Sequence, residues 1–235
     1  MPNKIFLIPN TITDENSSIF PAYISQTIEH VRFFAVEEEK SARRLLKKIH
    51  PQFPIDQTVF VNLSEHTKPQ DIQNIFKEAG NQDIGIISEA GVPCVADPGA
   101  ELVLSAHQKN WQVVPLVGPS AILLALMASG LNGQNFSFHG YLPKEKDLRI
   151  QKIKTLEQRS ASEHQTQIFM ETPYRNEHLL EDILNCCKQD TLLCLACDLT
   201  APTQFVKTLS IKEWKSNKKP PVHKRPTVFL LQGGR

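Results

Sequence analysis

Short apolar runs alternate with longer helical patterns through the first half of the chain. The strand-like runs are KIFLIP, RFFAV, TVFVNL, DIGIIS and WQVVPLV, and the helical stretches between them include EEKSARRLLKKIH, PQDIQNIFKEAG and AELVLSAHQKN. Strands that alternate with helices indicate βαβ units and a mostly parallel sheet. The first half is therefore predicted to be an α/β domain.

The second half changes its pattern after GPSAILLALMASG, which predicts a helix rich in small residues. It then offers FSFHGYL, QTQIFMET, TLLCLACDL, TQFVKTL and PTVFLLQGG, more strands per helix than the first half. We therefore predict the α/β class with two α/β domains. Residues 1–116 would hold a mostly parallel sheet, and residues 117–235 a mixed sheet.

The composition favours a cytoplasmic protein with no membrane partner. Hydrophobic residues make up 40% and charged residues 22% of the chain, which is ordinary for a globular protein. No apolar run approaches the roughly 20 residues of a membrane span, and the first residues do not resemble a secretory signal. Five cysteines, an odd number, argue against a disulfide framework.

Two of these cysteines, Cys194 and Cys197, have a spacing that is common among metal ligands. They lie in TLLCLACDL, however, whose pattern predicts a strand. Residues three apart on a strand point to opposite faces of the sheet and cannot easily share one ion. We therefore expect buried thiols rather than a metal site.

Charge is distributed unevenly along the chain. Residues 142–235 contain 16 Lys and Arg against 11 Asp and Glu, whereas residues 1–141 contain 10 against 14. The basic residues concentrate in PKEKDLRIQKIK and in KSNKKPPVHKR. Such runs are compatible with solvated surface and with a surface that contacts the phosphates of a polyanion.

The segment ISEAGVPCVADPGAE, residues 87–101, follows the predicted strand DIGIIS. Ligands of open α/β sheets bind beyond the carboxyl ends of such strands. The two glycines permit close approaches, and the two prolines restrict the backbone. Asp97 is predicted to cap the next helix, with Pro98 at its first position and Glu101 in its first turn. Both a ligand loop and a plain βα turn fit this pattern.

Several motifs together carry a family resemblance. SEAGVPCVADPG, VPLVGPSAILLALMASGL, FHGYLPKEK, FMETPYR and LSEHT lie along most of the chain. In combination they resemble the tetrapyrrole methylase-like methyltransferases that use S-adenosylmethionine (SAM). The resemblance is strongest to the branch that methylates the ribose 2′-hydroxyl of a cytidine in small-subunit ribosomal RNA.

This resemblance implies a homodimer in which a cleft between the two α/β domains holds SAM, with ribosomal RNA as the substrate. No metal is implied. The residues that it assigns to the cofactor are Pro9, Ser88, Gly91, Pro93, Asp97, Pro98, Gly99, Ser120, Ala121, Met170, Ala196, Pro226 and Thr227.

Methyl transfer depends mainly on an in-line approach of acceptor and methyl group, and a hydroxyl acceptor also benefits from a base or a cation. The candidates for this catalytic role are Glu37, Glu38, Glu65, Lys144 and Glu171. Glu37 and Glu38 can equally serve the start of the following helix. Glu171 stands at the end of an apolar strand, so its carboxylate needs a partner, and Arg175 is close enough in sequence.

Departures from the family pattern leave alternatives open. The segment PNTITDE, residues 9–15, lacks a proline and a glycine of the family motif, and Glu89 and Val92 replace Asp and Thr. Residues 197–201 replace Arg-Glu-Leu-Thr-Lys, so that two cations are lost. The alternatives are a methyltransferase acting on a tetrapyrrole or another small molecule, and a SAM-binding protein without catalysis.

Overall fold

The protein divides into two compact units, Met1–Ser120 and Ala121–Arg235. A computed structural model describes residues 3–13, 19–218 and 220–234. The division predicted from sequence, after residue 116, falls just beyond the last strand of the first unit. Residues 14 and 15 of the PNTITDE segment lie outside the described residues.

Within its described residues, the first unit contains five strands and four α-helices. The strands are β1 (Lys4–Ile8), β2 (Phe33–Val36), β3 (Val59–Asn62), β4 (Ile84–Ile87) and β5 (Gln112–Pro115). The helices are α1 (Tyr23–Ile28), α2 (Glu39–Ile49), α3 (Pro69–Ala79) and α4 (Ala100–Gln108). All described strand pairs are parallel, in the order β3-β2-β4-β1-β5. The predicted strands of this half are thus confirmed, whereas α1 was not predicted.

Both faces of this sheet are covered. Alternate residues of the strands enter two hydrophobic clusters, one with α1 and α2 and the other with α3 and α4. On β2, for example, Phe34 packs in the first cluster and Phe33 in the second. A parallel sheet buried on both faces leaves its strand ends for ligands.

The second unit contains a mixed sheet and four more helices. The strands are β6 (Phe136–Tyr141), β7 (Thr166–Met170), β8 (Leu192–Cys197), β9 (Phe205–Ser210) and β10 (Thr227–Gln232). The helices are α5 (Ala121–Ser129), α6 (Lys146–Glu163), α7 (Asn176–Cys186) and α8 (Ile211–Ser216). The strand order is β6-β7-β10-β8-β9, with β6 parallel to β7 and the other pairs antiparallel.

The two faces of the second sheet are covered unequally. Helix α5 packs on one face, whereas α6, α7 and α8 share the other. Cys194 lies in the α5 cluster and Cys197 in the opposite one, which confirms the strand geometry predicted for this pair. Among the described residues, no helix is long and apolar enough to span a membrane.

Candidate functional site

Four predicted site residues follow four neighbouring strands of the first sheet. Pro9 follows β1, Glu37 follows β2 and Ser88 follows β4, while Glu65 lies in the loop after β3. Parallel strands end at a common edge, so the fold brings these loops to the same carboxyl edge of the sheet.

Asn10 fastens the loop after β1 to the loop after β4. Its buried side chain donates from Nδ2 to the carbonyl oxygens of Ser88 and Glu89, at 3.0 and 2.8 Å. Its Oδ1 accepts from the Thr11 N–H at 2.8 Å, and its own N–H donates to the Gly91 carbonyl at 2.7 Å. In the sequence, Asn10 is predicted only as part of an altered motif, and this role was missed. Its position two residues after the end of β1 is a polar signal that does not identify its partners.

The loop after β5 packs against the same edge. A Cβ on Gly118 would overlap the ring of Pro9, and a Cβ on Gly91 would lie 3.5 Å from the Pro119 carbonyl oxygen. Gly118 therefore permits a contact that no larger residue would permit. Ser120, a predicted cofactor residue, ends this loop and the first unit.

The loop of residues 88–99 is conformationally unusual. Gly91, Cys94, Ala96 and Gly99 all have positive φ angles, of 70°, 68°, 64° and 127°. Positive φ is strained for residues other than glycine, and such strain concentrates at functional sites. The close packing adds a second constraint, because a Cβ on Gly99 would lie 2.8 Å from Cys94 Sγ. The neighbouring Pro93 is buried.

The helix cap predicted for this loop is wrong. Helix α4 begins at Ala100, with Gly99 at the cap position and no capping side chain. The left-handed turn at Gly99 separates Asp97 and Pro98 from the helix, so Asp97 does not cap it. Instead, the Asp97 carboxylate lies near the Ser88 side chain, which favours its charged form, while the Ser88 hydroxyl donates to the Ala90 carbonyl oxygen at 3.4 Å. The predicted first-turn position of Glu101 is confirmed.

Carboxylates at this edge repel one another. Burial, followed by the charge of Glu37, raises the pKa of Asp97 to about 6, although the Ser88 side chain opposes the shift. Burial also raises the pKa of Glu37, and the charges of Glu89 and Glu65 add to this effect. The Glu37 Oε2 atom is buried and has no hydrogen-bond partner within the described ranges. The edge therefore favours a ligand that carries positive charge or hydrogen-bond donors.

A cavity of about 180 Å³ lies beside these groups in the first unit. It is bordered by the loop after β3 and by the start of α4. Glu65, Asp97, Pro98 and Gly99, all predicted from sequence, line it. Glu65 is highly exposed, and its carboxylate lies 3.6 Å from Nε2 of the equally exposed His66.

The second unit brings three predicted cofactor residues together on the α5 face of its sheet. Met170 of β7 and Ala196 of β8 both pair with Val228 of β10. Val228 was not predicted, and it completes a row of three residues across the sheet. Ala121 of α5 packs in the same cluster. Thr227, the fourth predicted residue in this part of the chain, precedes Val228 at the start of β10. Its hydroxyl donates to the Arg225 carbonyl oxygen at 2.9 Å. Pro226 is exposed.

Glu171 follows Met170, and its side chain is only 1% exposed. It forms the expected ion pair with Arg175 and accepts from the Thr172 N–H at 2.6 Å. Its Oε2 has no hydrogen-bond partner among the described groups. A buried carboxylate needs such pairing, and here it fixes the turn after β7.

The two remaining catalytic candidates have structural roles or are exposed. The Glu38 carboxylate caps α2 by accepting from the backbone N–H groups of Lys40 and Ser41. Lys144 has an exposed side chain, and its carbonyl oxygen accepts from Arg149 Nη1 at 2.7 Å. Arg149 in turn forms a buried ion pair with Asp182, which joins α6 to α7.

Comparison with known proteins gives the family. A family model described as Tetrapyrrole (Corrin/Porphyrin) Methylases matches residues 23–215. The chain belongs to this family. It is 35% identical over 184 residues to a protein of Vibrio cholerae named Ribosomal RNA small subunit methyltransferase I. A protein of the same name from Synechocystis is 31% identical over 175 residues.

The matched regions differ in their share of each chain. The Vibrio match covers 78% of this chain and 61% of the relative, and the Synechocystis match covers 74% and 60%. The chain thus spans about 60% of the length of these curated relatives. The crystal structure of the methyltransferase CobJ superposes with a TM-score of 0.62 at 16% identity, covering 98% of this chain and 93% of that one. This likeness confirms the tetrapyrrole methylase fold.

Proposed function

We propose that this chain is a SAM-dependent methyltransferase that methylates a ribose 2′-hydroxyl of small-subunit ribosomal RNA. The observation that carries the proposal is the similarity to the Vibrio cholerae protein, whose name states that substrate class. On this proposal the protein works in the cytoplasm, where ribosomes are assembled, and forms the homodimer that the family resemblance implies.

The carboxyl edge of the first sheet suits the charged part of SAM. The cofactor carries positive charge at its sulfonium and ammonium groups, and the carboxylates of Glu37, Glu89 and Asp97 complement it. The rigid loop of residues 88–99 would present backbone groups without reorganising.

Two residues on the α5 face of the second sheet suit the apolar part of the cofactor. Met170 and Ala121 are half-buried and offer apolar contacts, whereas Ala196 and Val228 are buried under α5 and support them from the core. When bound, SAM supplies the electrophilic methyl group. The protein then has to hold the acceptor oxygen in line and exclude water from it.

Among the five catalytic candidates, Glu37 is best suited to accept the hydroxyl proton. Glu38 is occupied as a helix cap, Glu171 is paired with Arg175, and Glu65 is highly exposed. Glu37 keeps an unpartnered oxygen, and burial raises its pKa, which makes its carboxylate a stronger base.

The proposed reaction is tested by transfer of tritium from methyl-labelled SAM to small ribosomal subunits from cells that lack this ribose methylation. We expect label in the RNA, and 2′-O-methylcytidine after digestion to nucleosides. Subunits from cells that retain the modification are the control and should accept little label. Absence of label from the unmodified RNA would contradict the proposal.

Methylation of a tetrapyrrole is the second candidate, favoured by the family description. The same assay with a macrocyclic acceptor in place of RNA separates the two candidates. Transfer to a macrocycle carbon without RNA would replace the ribosomal proposal.

A further inference from the structure

An exposed aromatic ring stands at the end of β7. Tyr174 lies in the 3-10 turn Pro173–Arg175, and 68% of its surface is exposed. In sequence it lies four residues after Met170, one of the residues proposed to contact the cofactor. A single exposed aromatic ring is ordinary on a protein surface, so its meaning depends on the groups around it.

Buried contacts on both sides of Tyr174 in the sequence hold its turn in place. Arg175 pairs with the buried Glu171, and the Arg175 N–H donates to the Thr172 carbonyl oxygen at 2.9 Å. The buried Asn176 donates from Nδ2 to the carbonyl oxygens of Val222 and Arg225, at 3.2 and 2.7 Å. These contacts fasten the turn to the basic segment that precedes β10.

The basic segment also contacts the turn directly. The Lys224 N–H donates to the Pro173 carbonyl oxygen at 2.9 Å. The Lys224 Nζ atom lies 5.7 Å from the centre of the Tyr174 ring, and the His223 ring meets it edge-on at 6.2 Å. Lys224 and His223 thus flank an exposed ring, although Glu177 lies 3.5 Å from His223 Nδ1.

The neighbouring arginine is not available for a ligand in the same way. Arg225 donates from Nε to Asp198 at 2.8 Å and from Nη2 to the Thr203 carbonyl oxygen at 2.7 Å. It therefore braces the segment that replaces the family motif after β8. Lys224 makes no comparable ion pair within the described residues, so its charge remains available.

An exposed ring with an adjacent lysine suits single-stranded nucleic acid. Every base presents a flat face that stacks on an aromatic ring, and the adjoining phosphates are attracted to lysine. Because Tyr174 is largely exposed, part of its ring remains available for stacking beside Lys224 and His223. The excess of basic residues in this half of the chain favours the same ligand.

We propose that Tyr174 is a stacking platform for an unpaired base of the RNA substrate and that Lys224 binds an adjacent phosphate. The inference rests on the proposed function and names the residues that recognise its substrate. The ring would hold an unpaired nucleotide of the same RNA strand as the target and so add to the affinity for the substrate.

The test measures binding rather than turnover, so that it is independent of catalysis. A short fluorescein-labelled oligocytidylate is titrated with the protein, and the fluorescence anisotropy is recorded. We expect Tyr174→Ala to weaken binding about ten-fold, and Tyr174→Phe to retain it because phenylalanine also stacks. Phe136→Ala is the matched control. It also removes an exposed aromatic ring, but at the start of β6, whereas Tyr174 lies just beyond the end of the parallel strand β7.

Salt dependence tests the lysine. The logarithm of the affinity should fall with the logarithm of the salt concentration, and Lys224→Ala should reduce this slope by about 0.7, the contribution of one single-strand phosphate. Equal affinities for wild type, Tyr174→Ala and Phe136→Ala would overturn the platform. If wild type methylates ribosomal RNA with the same KM as Tyr174→Ala, the platform fails while the proposed function stands.

A contact between copies of the chain is the competing use of this ring. Light scattering of wild type and Tyr174→Ala decides between the two. A dimer that dissociates on removal of the ring, with unchanged affinity for the oligonucleotide, would contradict the inference.

Discussion

Among the acidic residues at the carboxyl edge of the first sheet, Glu37 is the best candidate for a general base. Its pKa is raised by burial and by neighbouring carboxylates, and one of its oxygens has no partner among the described groups. We expect Glu37→Gln to slow methyl transfer about 100-fold, the order that a general base contributes. The wild-type rate should rise with pH as Glu37 loses its proton, at a pH above the usual glutamate pKa of 4.5. This rise should disappear in Glu37→Gln.

Glu39→Gln is the matched control for this variant. The Glu39 side chain is exposed and pairs with Arg43 at 2.7 Å, two residues along the chain from Glu37. An exposed pair of this kind contributes little. The rate of Glu39→Gln should therefore stay close to that of wild type, and an equal loss in both variants would remove Glu37 from the mechanism.

Asp97 should make folding sensitive to pH. Its pKa rises from 3.8 to about 6 on folding, so the folded state binds more protons than the unfolded state between these values. The protonated Asp97 therefore stabilises the folded state relative to the charged form. This contribution is complete below pH 4 and is lost as the pH rises through 6. Asp97→Asn should therefore gain about 1–2 kcal/mol relative to wild type above pH 6, since solvent screens part of the shift.

Urea unfolding at pH values from 4 to 7 measures this difference. The free energies of unfolding of wild type and Asp97→Asn should diverge as the pH rises. Curves that stay parallel across the range would show that burial does not affect Asp97 as described.

Residues with a chemical motif were predictable, and residues with a packing role were not. Asp97 and Glu37 were named from sequence because they match the family motifs, and Glu171 because an acidic group at the end of an apolar strand needs a partner. Asn10 was missed because its role depends on carbonyl groups nearly 80 residues away, which no local pattern reveals. The cap assigned to Asp97 was wrong for a related reason, since the conformation of Gly99 decides where α4 begins.

At the scale of elements, strands were predicted well because buried parallel strands form short continuous apolar runs. All ten described strands correspond to predicted runs. Short helices such as α1 and α8, six residues each, were missed because they offer less than two full turns of periodicity. The contact between the loops after β1 and β5 was also unpredictable, because it joins Pro9 to Gly118.

That contact yields a prediction at the same scale. Gly118→Ala should displace Pro9, since the added Cβ overlaps its ring. We expect a loss of stability of about 1–3 kcal/mol from overpacking and a weaker affinity for SAM. Thermal unfolding and calorimetric titration measure the two effects.

Gly133→Ala is the control for this substitution. A Cβ at Gly133 would meet nothing within 4 Å, so the same chemical change should leave both quantities nearly unaltered. If Gly118→Ala behaves like Gly133→Ala, the loops do not depend on this close approach.

At the scale of the whole molecule, the two units share the α/β class but differ in sheet type and charge. The first has a fully parallel sheet among its described strands and an acidic carboxyl edge, whereas the second has a mixed sheet and more basic residues. This difference favours a division of labour, with cofactor recognition centred on the first unit and RNA recognition on the second. The sequence predicted the charge difference, because a count of side chains requires no fold.

Binding of SAM tests the central claim most directly. Protein freed of copurified ligand is titrated calorimetrically, with Asp97→Ala alongside and circular dichroism to verify folding. We predict saturable binding of one SAM per chain at about micromolar affinity, weakened at least several-fold in the variant. No binding by a folded wild type would contradict the account and would leave a protein that keeps the family fold without its cofactor.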